Sequence, residues 1–287
     1  MKGYSMAKCL TLNTHSWMEV NALKKLFDLA EHIFREKYDI ICLQEVNQSI
    51  SSPLAKSSPN YHPIEGTPAL HQDNFALQLV HYLNLQGLHY HWTWAYNHIG
   101  YSKYHEGVAI LSLKPLKPDD ILVSAVDDET DYHTRRALVA ETTLNDKVVT
   151  VVSLHLSWFE KGFAEEWKRL ETTLLEVETP LLLMGDFNNP TGNQGYELVL
   201  NSPLALKDSH QIANHVFGDH TIMADIDGWE GNKKALKVDH IFTSEDLSIS
   251  SSQVVFEGGE APVVSDHYGL EITLNLSINL FNILKAS

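Results

Sequence analysis

The sequence predicts an α/β (α+β) fold on three observations. The first is Pro180–Pro190, where the apolar run Leu181–Met184 is too short for a helix and meets Gly185, Asp186 and Asn188; such a run reads as a buried strand. Gly185 should break it and Pro190 prevent its return. Asp186 and Asn188 are then expected on the loop at the strand's carboxyl end, where open α/β sheets bind ligands. The second is a helical stripe, Val20, Leu23, Leu26, Phe27, Ala30, Ile33 and Phe34, at spacings of three and four. The third is an echo. A strand, a helix and a second strand carry Asn13 and then Glu45, 32 residues on, and the same order carries His155 and then Asp186, 31 residues on. Two such units would set four polar strand ends on one rim.

The remaining elements follow from the same signals. Lys8–Leu12 is the first strand, and Asp39–Leu43 the strand that ends at Gln44-Glu45. Val46–Gln72, rich in Ser, Pro and His, is expected to be a long loop overhanging the same face. Asn74–Leu85 is a helix with Asp73 as its cap. Strands are expected at Tyr90–Tyr96, Gly107–Ser112 and Ile121–Ala125, with a turn at Pro115 and Pro118. Arg136–Leu144 and Lys147–Leu154 form a hairpin about Asn145-Asp146. Glu160–Val177 is a helix and Tyr196–Leu200 a short one. The segment Asp208–Lys237 is a second long polar connection. Val238–Thr243, Ser248–Phe256 and Tyr268–Leu276 close the chain as strands, and Ser277–Ser287 carries no assigned role.

Composition narrows the function. The chain has 287 residues, 44% apolar and 20% charged, ordinary for a globular protein, and is read as a single domain over 1–287 with its core at about 8–276. Net charge is −16, from 21 Lys and Arg against 37 Asp and Glu, which argues against avid sequence-indifferent binding to nucleic acid. Cys9 and Cys42 sit in apolar runs and are expected to be buried small hydrophobes. Lys2 is followed by no apolar leader and Met6 could serve as an alternative start, so no signal peptide is expected. No apolar run reaches the length of a membrane span, and the expected compartment is cytoplasmic.

Polar groups collect at the strand ends: Asn13, Glu45, Glu106, His155, Asp186 with Asn188, Asp239-His240, and Ser265-Asp266-His267. Singly each has a plain explanation. An Asp beside a strand is usually a turn or cap residue, and most of the 16 histidines need be no more than hydrogen-bonded core or surface groups. Together they point to a site, because ionisable groups gather at buried strand ends only to pair or to hold a metal. Cys/His zinc spacings, a Walker loop, a dinucleotide fingerprint and a Gly-x-Ser-x-Gly elbow are all missing from the sequence. The oxygen-rich set suits a hard cation such as Mg²⁺ or Mn²⁺ better than zinc.

Seven motifs, in order, carry a resemblance: Leu12-Asn13-Thr14-His15-Ser16-Trp17, Leu43-Gln44-Glu45-Val46, Glu106-Gly107-Val108-Ala109-Ile110, Ser153-Leu154-His155-Leu156, Gly185-Asp186-Phe187-Asn188, Val238-Asp239-His240-Ile241 and Ser265-Asp266-His267-Tyr268. Over about residues 8–276 the chain resembles the endonuclease/exonuclease/phosphatase superfamily. The resemblance implies a DNase I-like four-layer sandwich, two mixed β-sheets face to face with helices outside. It implies Glu45 as the principal metal carboxylate with Asn13 beside it, and Asp266 reaching metal directly or through water. Asp186 and Asn188 would orient the attacking water and the phosphate. Asp239 would hold His267 in one tautomer, and His155 would be the second histidine with Glu106 as its partner. Arg135 or Arg136 would meet a non-bridging phosphate oxygen. Leu12-Asn13-Thr14 departs from the Trp-Asn pattern of the abasic-site branch, and Glu106-Gly107 looks more like the DNase I and sphingomyelinase branches.

The implied activity is Mg²⁺- or Mn²⁺-dependent hydrolysis of a phosphodiester or related ester by metal-assisted attack of water, nuclease activity included. A sphingomyelinase- or phospholipase C-like enzyme, a small phosphoester phosphatase and a non-catalytic phosphate-binding scaffold are the alternatives. The substrate could be a nucleic acid, a nucleotide, a phospholipid head group or a sugar phosphate, and no obligate protein partner is implied. Which histidine is base and which acid is open, with an Asp186-activated water an equal alternative. Loops 46–72 and 208–237 are expected to shape the pocket, where Trp17, Trp92, Trp94, Trp158 and Phe159 either stack on substrate or pack in the core.

Overall fold

A computed structural model describes residues 4–244 and 247–277; the tail after Ser277 lies outside the described residues. In chain order the elements are β1 (Tyr4–Asn13), α1 (Ala22–Glu36), β2 (Ile40–Ser49), α2 (Phe75–Leu85), β3 (His91–Gly100), β4 (Tyr104–Ser112), β5 (Lys117–Leu122), β6 (Arg136–Leu144), β7 (Lys147–His155), α3 (Phe163–Leu174), β8 (Leu181–Asp186), α4 (Gln194–Leu200), β9 (Lys207–Asp208), α5 (Ser209–Ile212), β10 (His215–Phe217), β11 (Asp239–Thr243), β12 (Ser248–Val255) and β13 (Gly269–Ser277). They form a seven-stranded sheet in the order β10-β12-β13-β1-β2-β4-β3 and a six-stranded sheet in the order β5-β6-β7-β8-β11-β9.

Side-chain alternation along the central strands builds the layers. Cys9, Ile40, Cys42, Val108 and Ile110 of the first sheet meet Val149, Val151, Leu182, Met184 and Ile241 of the second in one core between the sheets. Their neighbours Leu10, Leu12, Ile41 and Leu43 point outward and pack beneath α1 and α2. On the far side, Val152, Leu154, Leu181 and Leu183 pack beneath α3 and α4. Strands covered on both faces must be apolar throughout, which is why these runs looked continuous in the sequence. The result is the expected DNase I-like sandwich of helices, two mixed sheets and helices. Cys9 and Cys42 are buried and unbridged.

Both echoed units are real parallel pairs. β1 and β2 run side by side with Asn13 opposite Gln44, and β7 and β8 with His155 opposite Asp186. On its other side β8 pairs antiparallel with β11, which sets Asp239 opposite Asp186. Asp186 is thus flanked by His155 and Asp239 through strand register alone.

Several local expectations are corrected. Gly185 does not break its strand. It lies inside β8, where a Cβ would fall 2.1 Å from the Leu154 carbonyl oxygen, so glycine permits the close approach of β7 and β8. β2 likewise continues past Glu45 to Ser49. Glu45 takes a left-handed backbone (φ 52) where the pairing with β4 slips between Leu43 and Val46, a bulge that re-aims one side chain without ending the strand. The cap of α2 is Asn74, which accepts from the Leu77 amide, while Asp73 accepts from the Ser49 amide. Pro118 lies within edge strand β5, where a missing N–H is tolerated. The stretch read as one helix from Glu160 splits at Gly162 (φ 107) into a 3-10 turn and α3. The Asn145-Asp146 turn is as expected, with both residues at positive φ (47 and 67), as a two-residue hairpin requires.

Candidate active site

Asn13, Glu45 and Asp186 meet where the two sheets end together. The Asn13 Nδ2 donates to Glu45 Oε1 at 2.9 Å and to Asp186 Oδ2 at 3.1 Å. Ionised carboxylates only accept, so the amide orientation is fixed by its partners. Glu45 Oε2 is buried without a hydrogen-bond partner. Burial pushes the Glu45 carboxyl above its ordinary range and Asp266 adds to this, against His15 and Asn13. A buried carboxylate oxygen with no donor fits a cation site, since such a group is otherwise expensive to hide.

Two imidazoles stand around Asp186, His155 through the β7–β8 register and His267 from the segment before β13, bridged to Ile222. His267 Nδ1 is 2.9 Å from Asp239 Oδ2. The Nε2 atoms of His155 and His267 lie 3.7 and 3.8 Å from Asp186 Oδ2. Asp186 Oδ1 accepts from the Asn188 amide at 2.8 Å, with Asn188 at positive φ (51). Burial raises Asp186 to about 7, Asp239 adding and His267 opposing. The two histidines are driven apart. Burial would lower His267, but the Asp239 and Asp186 carboxylates lift it to about 10. His155 is held well below its ordinary value by burial, then by Arg135 and His267.

The two arginines separate cleanly. Arg135 is buried, donates from Nη1 to the His155 carbonyl at 3.0 Å, and has no hydrogen-bond partner at Nε. It lines the cleft. Arg136, one residue on, faces away and is bound to Asp120 at 3.1 Å and Asp127 at 2.5 Å. Adjacent side chains of extended backbone face opposite ways, and of the two only Arg135 opens onto the cleft. Glu106 lines the same cleft, but the imidazole it faces is His98, at 3.5 Å, not His155. Burial and the Glu45 charge raise Glu106 to about 8, while the Nδ1 of His155 has no hydrogen-bond partner. Asp266 borders the cleft and its amide donates to Glu19 Oε1 at 3.0 Å.

The cavity these groups line is about 340 Å³. It also contains residues the motifs did not single out: His98, Tyr101, Tyr132, Asp227, Gly228 and Trp229. His15 stands at its edge. Its Nδ1 is 2.8 Å from Glu19 and its Nε2 is 3.6 Å from Asp227. Burial opposes its protonation, but Glu19, Glu45 and Asp266 raise it to about 9. His15 stood inside a motif and was readable as a neighbour of Asn13; Asp227 and Trp229 carried no periodic or motif signal. Loop 46–72 contributes nothing to this lining, whereas 208–237 does. Trp92 and Trp94 are core residues, Trp17 packs on Phe75 at 5.2 Å, Phe159 packs under the second sheet, and Trp158 alone of the five borders the cleft.

Two mixed sheets bring carboxylates, carboxamides, three imidazoles and a guanidinium to one cleft, an arrangement of the DNase I-like class. A model of the Endonuclease/Exonuclease/phosphatase family matches residues 19–267, and the chain belongs to that family, whose members are metal-dependent phosphoester hydrolases. It is similar to an endonuclease/exonuclease/phosphatase family protein from Leptotrichia buccalis C-1013-b, with 28% identity, a TM-score of 0.81, and coverage of 94% of this chain and 100% of that one. It shares its fold with a mannosyl-6-phosphatase from Bacteroides thetaiotaomicron, at 13% identity and TM-score 0.60 over 93% of this chain and 99% of that one. It shares it also with a humanized D. rerio TDP2, at 15% identity and TM-score 0.63 over 94% and 99%. No curated protein matches the sequence. Among the described residues no helix is long and apolar enough to cross a membrane.

Proposed function

We propose that the protein is a Mg²⁺- or Mn²⁺-dependent hydrolase of phosphate esters, phosphodiesters included, with water as nucleophile. The observation that carries this reading is the convergence of the unpartnered Glu45 Oε2, the Asp239–His267 pair and Arg135 on one cleft. Glu45 would hold the cation, with Asn13 and Asp266 as its neighbours. When bound, the cation supplies Lewis-acid stabilisation of charge on the phosphate oxygens.

The chain's own groups account for the rest. Arg135 donates to a non-bridging oxygen as charge builds there. Asp186, with one oxygen held by the Asn188 amide, orients the water and receives its proton. As the water oxygen bonds to phosphorus, the bond to the ester oxygen breaks and the leaving alkoxide takes a proton from His267 Nε2. Asp239 fixes the other ring nitrogen as a donor, so the ring cannot turn its proton away from the substrate. His155, neutral beside Arg135, completes the wall without adding positive charge. The products are the free alcohol and the hydrolysed phosphate.

The test is hydrolysis of bis-p-nitrophenyl phosphate with Mg²⁺ or Mn²⁺ and with EDTA. Activity should need the metal and vanish in Glu45→Ala and in His267→Ala. Unchanged rates in both variants would overturn the reading.

A further inference from the structure

The segment between Thr221 and Leu236 is a closed loop. Thr221 and Ile222 donate to the Leu236 carbonyl at 2.8 and 3.0 Å, and Leu236 donates back to Ile222 at 3.1 Å. Its tip is tightened by Asp225, which accepts from the Gly231 amide at 2.7 Å. From that tip three residues reach across the cleft mouth. Asp227 accepts from the Tyr101 hydroxyl at 2.6 Å, tying the loop to the β3–β4 turn of the first sheet. Trp229 Nε1 donates to Asn188 Oδ1 at 3.2 Å, beside the end of β8 in the second sheet. Gly228 lies so close to Trp158 that a Cβ would stand 2.9 Å from the ring. The loop therefore turns what would be an open groove between two sheets into a small pocket.

We propose, on the basis of the hydrolase reading above, that Asp227 and Trp229 select the substrate, and that it is the phosphate ester of a small hydroxyl-bearing alcohol, a sugar or polyol, and not a nucleic acid chain. The Tyr101–Asp227 tie crosses the cleft mouth, and the Asp227 and Asp266 carboxylates at its rim oppose the approach of a polyanionic backbone. The cavity of about 340 Å³ is at the lower end of small-ligand sites. Trp158 and Trp229 meet edge to face, 6.3 Å apart at 61°, so they form no parallel slot for a base. A quaternary ammonium fits poorly as well, because Lys161 Nζ already lies 4.3 Å from the Trp158 ring centre. What remains is the Asp227 and Asp266 carboxylates at the rim, which accept hydrogen bonds, beside indole rings. Hydroxyl donors with apolar C–H faces match both.

The experiment measures binding by calorimetry and kcat/KM with Mg²⁺ for glucose 6-phosphate, bis-p-nitrophenyl phosphate and a 12-nucleotide single strand, using the full chain and Asp227→Ala. The sugar phosphate should bind and the oligonucleotide should not. The preference for the sugar phosphate over the nitrophenyl ester should fall at least about tenfold in the variant, because a site that hydrogen-bonds a substrate hydroxyl discriminates strongly by it. A preference for the oligonucleotide, an unchanged ratio, or no sugar-phosphate binding overturns the proposal. If Asp227-dependent sugar-phosphate binding is seen but no ester is hydrolysed, the hydrolase reading fails and the selection stands.

Discussion

Asn13 and Asp186 are 173 residues apart in the chain and meet at 3.1 Å, an amide of the first sheet against a carboxylate of the second. The same amide nitrogen holds Glu45 at 2.9 Å. One carboxamide thus keeps a buried acid and a half-buried one at a set separation, a task that neither sheet performs through its own strand pairing.

Removing that amide should therefore affect both activity and stability. Asn13→Ala should lower kcat about 100-fold, and in EDTA it should cost about 1–3 kcal/mol of unfolding free energy, the price of leaving buried acceptors without a donor. Urea denaturation and steady-state hydrolysis of the nitrophenyl diester check this. Wild-type stability in the variant would mean that the tie is incidental.

Glu45 makes the opposite prediction for stability. Its Oε2 is buried and unpartnered and its carboxyl is raised by burial, so Glu45→Gln should be at least as stable as the wild type in EDTA. Added Mg²⁺ should raise the melting temperature of the wild type, as a ligand that binds only the folded state must, and leave that of Glu45→Gln unmoved. A metal shift that persists in the variant would place the cation elsewhere.

Arg135 and Arg136 form an internal control. Arg135→Ala should cost about 100- to 1,000-fold in kcat/KM, the range for losing one donor to developing charge. Arg136→Ala, whose guanidinium is engaged by Asp120 and Asp127 outside the cleft, should stay within about threefold on the same scale. Equal losses would show that the separation by strand alternation has no functional weight.

In the metal-free fold the buried neutral histidines favour higher pH, against Asp186 and Glu106, whose carboxyls burial raises to about 7 and 8 and which favour acid over the same range. His240 is held at about 3 by burial and then by Lys237, and an unfolded histidine titrates near about 6.5. Between those values the unfolded chain binds a proton that the folded chain refuses, so stability rises with pH across the window and is lost as pH falls through it. His32 and His98, each lowered to about 4 chiefly by burial, act in the same direction. Melting curves in EDTA check the histidine contribution by difference: the change in melting temperature from pH 7 to pH 5 should be more favourable in His240→Gln than in the wild type.

Much of this is legible in the sequence. The apolar runs at 39–43 and 181–184 declared buried strands because both their faces are covered, and the Asn145-Asp146 pair declared its turn because the positive φ values there select such residues. The acidic and imidazole groups were legible as a set because they recur at strand ends. What could not be read lay in backbone close to other backbone. Gly185 looked like a breaker and is a point of close strand approach; Glu45 looked like a terminus and is a bulge. The choice between Arg135 and Arg136 turned on a single residue of register. The Asp227–Trp229 tip came from an irregular segment, where composition gives no hint of which way a loop folds.

The Asn145-Asp146 turn offers one practical use. It joins β6 to β7 at the end of β7 opposite His155, and nine residues of strand at about 3.3 Å each set it roughly 30 Å from that imidazole. A fluorophore or an epitope spliced between these two residues would ride on an exposed hairpin, the kind of position where inserted sequence is best tolerated, and would give a handle for immobilising the protein with its cleft turned toward the solvent.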